Sequence, residues 1–254
     1  MAWVESGSRS FRARHDASAR DDAERVLHHL ELTRERLAEH FPATIAGLTV
    51  VLHRNGVSLS LARPVVPVAR AATAPAARRY LAGWAGTEEL HTLAPGALDR
   101  RASAVAGSRE MLELTPSALY ARRVVNENNN HLRTRPAPAR LHAQLRWAWL
   151  LEGAARWFSG QMEHARPAIA RRLHDGVRPR FPPGVRDALL LGGTVIDLLA
   201  REQGEHAAAQ FACRLDSRGP RAALVSAFDG RPFRHIEQAW RSHLQRLAAA
   251  AQAS

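Results

Sequence analysis

Two segments hold polar groups at spacings that could do chemistry: Val125-Asn126-Glu127-Asn128-Asn129-Asn130-His131 and Trp149-Leu150-Leu151-Glu152-Gly153-Ala154-Ala155-Arg156-Trp157-Phe158. A glutamate serves as a general base or an oxygen ligand, and a histidine four residues later shares its face of a helix. Glu127 and His131 have that spacing, and Glu152 lies 21 residues beyond His131. If the two segments form neighbouring helices, these three side chains could converge as zinc ligands. Tyr120, Val124, Glu127 and His131 fall on one stripe at about 100° per residue. Asn126 and Asn130 share theirs with Leu119 and Arg123. Three consecutive asparagines inside a helix need a reason, since each costs roughly a few tenths of a kcal/mol against alanine. The plainer reading pairs Glu152 with Arg156 and Glu127 with His131 on exposed helix faces, worth about 0.2–0.5 kcal/mol each.

The elements that must position these groups are legible in part. A strand or hairpin is expected over Trp3–His15, then a helix from Asp21 to Phe41 with apolar residues at Ala23, Val26, Leu27, Leu30 and Leu37. Leu48–His53 reads as a β-branched strand closed by an Asn55-Gly56 turn. Four prolines between Ser58 and Arg109 leave room only for short elements of a thin sheet, and Met111–Leu114 suggests one more strand. Thr115-Pro116 announces a helix running to about His131, with Thr115 as its cap. Leu141–Gln161, apolar almost all round, reads as one buried central helix. Helices follow over 185–203 and from Phe233 onward, where Ile236, Trp240, Leu244 and Leu247 space an apolar stripe.

The Trp149–Phe158 run resembles that of the gluzincin, or peptidase MA-like, zinc metallopeptidases. Their active helix carries His-Glu-x-x-His, and their next helix supplies a glutamate within a Trp-Leu-x-Glu-Gly-like run. Trp149, Leu150, Glu152, Gly153, Ala154 and Phe158 match the second element. The resemblance implies a zincin-like, two-lobed α+β fold that is predominantly α. Residues 1–134 would form a thin-sheet lobe including the active-helix remnant, residues 135–254 a helical lobe, with a cleft between them.

The first element departs from the family pattern, and two registers are open. In one, Glu127 stands at the general base while Asn126 and Asn130 occupy the zinc-ligand positions, where neutral amides bind zinc poorly. In the other, Glu127, His131 and Glu152 hold a metal while Asn128 replaces the base. The more apolar stripe favours the second. Neither restores the full motif. The resemblance thus implies an inactive relative, needing no cofactor, that binds a peptide or protein in the inherited cleft. Glu127, Asn126, Asn128, Asn130, Tyr120 and Arg156 would line that cleft. The alternative is a zinc-dependent hydrolase built on Glu127, His131 and Glu152.

Composition bounds the remaining classes. The 254 residues carry no lysine, so the 36 cationic side chains are all arginine, and the net charge is +12. Arginine-rich runs such as Arg122-Arg123, Arg133–Arg140 and Arg166–Arg172 keep a nucleic-acid or other anionic partner in play, without any accompanying phosphate loop or helix-turn-helix signature. Cys213 is the only cysteine, which excludes a disulfide framework or a cysteine-built zinc finger. The longest nearly uncharged stretch, Ala188–Ile196, is too short to span a membrane, and a cytoplasmic location is expected.

Overall fold

The computed structural model describes residues 3–65 and 78–251. Its N-terminal region is built on β1 (Trp3–Gly7), β2 (Phe11–Asp16), α1 (Arg20–Ala38), β3 (Leu48–His53), α2 (Gly56–Ala62), β4 (Gly83–Ala85) and β5 (Glu89–Leu93). The strands form one sheet in the order β1-β2-β3-β5-β4. β2, β3 and β5 run parallel, and β1 and β4 are antiparallel edges. Register divides the sheet into two faces. Phe11 and Ala13 align with Leu48 and Val50, and these join Leu52 and Leu90 in the main core beneath α1. The outer face carries Val51, His53, His91 and Leu93, with Trp84 opposite His91. Asn55 caps α2 by accepting from the Ser58 amide at 2.9 Å, so the expected Asn55-Gly56 turn is a helix start.

The remaining elements are helical: α3 (Ser108–Glu113), α4 (Thr115–Glu127), α5 (Asn130–Arg133), α6 (Ala137–Arg146), α7 (Ala148–Phe158), α8 (Gln161–His164), α9 (Arg166–Asp175), α10 (Val185–Gln203), α11 (Glu205–Ala212), α12 (Pro220–Ala227) and α13 (Phe233–Ala250). The architecture is therefore α+β, with a small N-terminal sheet region and a large helical C-terminal region. One hydrophobic core runs through both, from Phe11 to Leu247. α7 and α10 cross so closely that a Cβ on Gly153 would collide with the backbone of Gly192. Trp240 of α13 seals the far side, donating to Thr194 Oγ1 at 2.8 Å. Beside it, burial raises the Asp197 pKa, but donors on His243, Arg201 and Trp157 outweigh that and hold it at about 2.

Three expectations need correction. Met111–Leu114 is not a strand: Ser108–Glu113 is a helical turn whose Met111 and Leu112 are buried. Residues 141–161 do not make a single helix, because the chain breaks at Trp147 between α6 and α7. Finally, the helix begun at Thr115 ends at Glu127, before the three consecutive asparagines. Thr115 is its first residue rather than its cap, and its hydroxyl accepts from the Ala82 amide at 3.0 Å. No helix among the described residues is long and apolar enough to cross a membrane.

Candidate functional site

A groove of about 840 Å³ opens where β4 ends the sheet. Its walls are Trp84 to Thr87 on the sheet side, Leu119, Arg122, Arg123, Asn126 and Glu127 on α4, and Glu152 and Arg156 on α7. Leu132, Arg133, Arg140, Leu141 and Gln144 close the remaining side. Both glutamates singled out in the sequence therefore line one groove, on α4 and α7, which pack against each other.

The two carboxylates do not act on each other. Glu152 forms an ion pair with Arg122 across the helix interface and lies 3.8 Å from Arg156, one turn along its own helix. Arg156 is 2% exposed, and its guanidinium also donates to Gln161 Oε1 and, at 3.5 Å, to the Tyr80 carbonyl. Gln161 in turn donates to the Met111 carbonyl. Such a buried cation is tolerable only while these acceptors surround it. Glu127, by contrast, reaches outward to Arg133 at 3.2 Å.

The asparagines separate at the helix end. Asn126 lines the groove, and its Oδ1 is enclosed without a hydrogen-bond partner. Asn128 turns away and clamps the loop after α1: its Oδ1 accepts from the Ala43 amide at 3.0 Å and its Nδ2 donates to the Ala43 carbonyl at 2.7 Å. Asn129 is fully buried with extended backbone, and Asn130 is an exposed residue opening α5. The segment thus stops one helix and starts another, which is where residues that compete for backbone hydrogen bonds belong.

That break removes the proposed stripe. His131 is exposed on α5, out of register with Glu127, so Glu127, His131 and Glu152 do not gather as a ligand set. Among the described residues no group of three His, Cys, Asp or Glu side chains could hold a metal ion. Tyr120 is also misplaced by the sequence reading: it is fully buried, edge-on to Phe11, and donates to the Ile45 carbonyl at 2.9 Å. Burial pushes its hydroxyl up to about 12.

Arg122 is the site residue that the sequence did not single out, since there it stood only as part of a basic run. Its position four residues before Asn126 was the available signal, since that spacing puts both on one helix face. Arg123, next to it, has an enclosed Nε without a hydrogen-bond partner. One turn of α4 on the groove wall therefore holds an enclosed donor and an enclosed acceptor, each without a hydrogen-bond partner. Six arginines line it, Arg63, Arg122, Arg123, Arg133, Arg140 and Arg156, against only two glutamates, so its field is strongly positive. Cys213 plays no part here; burial raises its thiol to about 11, as suits a core filler. Comparison with protein-family models, with curated proteins and with solved structures finds no match to this chain.

Proposed function

We propose that the groove binds an extended, acidic peptide segment and does so without cleaving it. The single observation that carries this reading is the ion pair of Arg122 with Glu152, set in a groove of six arginines that opens along the sheet edge. The peptide would lie beside β4, where an added strand finds backbone partners, and its carboxylates would meet the arginines. Asn126 Oδ1 and Arg123 Nε suit one N–H and one C=O of its main chain. Leu119, Leu132 and Leu141 supply apolar contacts between charges.

The resemblance to gluzincins, carried by Glu152 and its neighbours on α7, is compatible with the same reading in a register that starts at Arg122, four residues before the first expected one and five before the second. Arg122-Arg123-Val124-Val125-Asn126 then stands at His-Glu-x-x-His, and Glu152 at the glutamate of the next helix. In that register a guanidinium takes the metal's place against Glu152, and Arg123 replaces the general base. The family's zincin fold is part of this proposal, supported by the antiparallel edge strand, the α4 remnant and the α7 glutamate around one cleft. A single-stranded nucleic acid fits less well, because the groove's aromatic residue, Trp84, is 7% exposed and stacked on His91 rather than free to stack on bases.

The test is fluorescence anisotropy with labelled peptides alternating Asp or Glu with apolar residues, set beside basic counterparts and an oligonucleotide. The acidic peptides should bind, and Arg123→Glu or Arg140→Glu should weaken them at least about tenfold, or ~1.4 kcal/mol. Zinc-dependent cleavage of the peptide would establish the hydrolase instead. Preference for the oligonucleotide, or binding indifferent to both charge reversals, would refute the peptide groove.

A further inference from the structure

The outer face of the sheet holds a second polar cluster. His53 of β3 and His91 of β5 are diagonal neighbours there, since Val51 pairs with His91 and His53 with Leu93. Their rings stack at 5.3 Å and are joined by a 3.0 Å hydrogen bond between His53 Nε2 and His91 Nδ1. His91 Nε2 lies 3.0 Å from Glu89 Oε2, and Arg14 lies 3.2 Å from the other oxygen. Trp84 covers His91 at 3.9 Å, and Trp3 meets His53 edge-on at 6.3 Å. Both imidazoles are buried, His53 to 5% exposure.

The carboxylate gives this chain a direction. Glu89 accepts, so His91 carries its proton on Nε2 and its lone pair on Nδ1. That lone pair needs a donor, which places the proton of His53 on Nε2. The lone pair of His53 is then on Nδ1, which is enclosed and has no hydrogen-bond partner among the described residues. Burial, and secondarily repulsion from His91, brings the His53 pKa down to about 4, so the ring is a neutral acceptor near neutrality. An enclosed acceptor with nothing to accept is costly, on the order of 1–3 kcal/mol.

His53 also forms a wall of a pocket of about 300 Å³ at the carboxyl ends of β2 and β3, the end of a parallel sheet at which ligands bind. Asn55 and Ser58 at the start of α2, Trp3 and Leu52, the acid Asp16, and the cations Arg54 and Arg100 line the rest. Asp16 and Arg54 stand 3.6 Å apart, so opposite charges lie side by side.

The geometry points to a binding site for a small zwitterion, a free α-amino acid. Its carboxylate would rest on Arg54 and Arg100, its ammonium on Asp16 and His53 Nδ1, and its side chain on the exposed ring of Trp3. A plain carboxylate leaves the histidine lone pair unfilled, and a plain amine leaves the arginines unanswered. The pocket is at the small end of ligand sites, which suits an amino acid and excludes a longer peptide.

Calorimetric titration and the ¹⁵N resonances of His53 test this with L-leucine, L-alanine and two truncated forms of leucine, 4-methylpentanoate and 3-methylbutylamine. An amino acid should bind and shift the Nδ1 resonance, with each truncated compound at least about tenfold weaker. Arg100→Gln and His53→Gln should each lower the affinity by a similar factor. Arg100 is exposed, so its variant keeps the test decisive if His53→Gln fails to fold. No response to leucine or alanine at about 10 mM, equal binding of a truncated compound, or unchanged binding by Arg100→Gln would overturn the assignment.

Discussion

Glu152 and Glu127 line the same groove, yet their surroundings give them opposite weights in stability. Glu152→Ala would leave the buried Arg156 guanidinium short of a carboxylate and break the ion pair with Arg122, a loss of about 3 kcal/mol. Glu127→Ala breaks only a largely exposed pair with Arg133 and should cost under about 1 kcal/mol. Urea unfolding of the two variants checks the contrast, and equal losses would contradict the buried network. His53 gives a pH signature. Its pKa is about 4 in the folded chain against 6.5 when exposed, so the unfolded chain takes up the proton first between those values. The contribution is present above pH 6.5 and is lost as the pH falls toward 4, on the order of 3 kcal/mol in full. His53→Gln should flatten the unfolding free energy across that window, and an unchanged slope would count against a neutral buried His53.

At the scale of elements, the asparagines and the glycine of α7 have local jobs that explain their types. Asn128 holds α4 to the loop after α1 through both amide atoms, so Asn128→Ala should loosen that junction by about 1–2 kcal/mol. Hydrogen exchange at Ala43 would report the opening. Gly153 lets α7 and α10 touch, because any Cβ there meets the Gly192 carbonyl carbon and oxygen. Gly153→Ala should cost about 1–3 kcal/mol by overpacking. Gly184→Ala, at a site with open space around it, should stay within about 0.5 kcal/mol. If the two alanine variants melt alike, the helix crossing is looser than described.

For the molecule as a whole, the groove where the sheet region meets α4 to α7 shares in the positive charge, with six arginines against two glutamates. Binding of an acidic peptide should therefore weaken as ionic strength rises, since screening shortens the reach of these charges to about 10 Å at 0.1 M salt. Zinc is expected to leave the melting temperature unchanged, because Glu127 and Glu152 face arginines and His131 points to solvent. Scanning calorimetry with a molar excess of zinc checks this. A zinc-dependent rise that disappears in His131→Ala would revive the Glu127, His131 and Glu152 site.

Local pattern was enough to read the strand at Leu48–His53, the long helix before it, the helix at Val185–Gln203 and the Phe233 helix, because each repeats its own period in apolar residues. Pattern also marked α4 and α7 as the elements holding the polar groups of interest. It could not say where α4 stops: three asparagines weaken a helix, but only the contact of Asn128 with Ala43, 85 residues away in sequence, turns that weakness into an end. Partner choice was equally out of reach. Glu152 had Arg156 one turn away, and the guanidinium that meets it from the neighbouring helix, Arg122, is selected by how α4 and α7 pack. The His53 and His91 chain is hidden in sequence for the same reason, since strand register alone brings residues 38 apart within hydrogen-bond reach. Periodicity is a property of neighbours along the chain, whereas ion pairs and ligand pockets belong to neighbours in space.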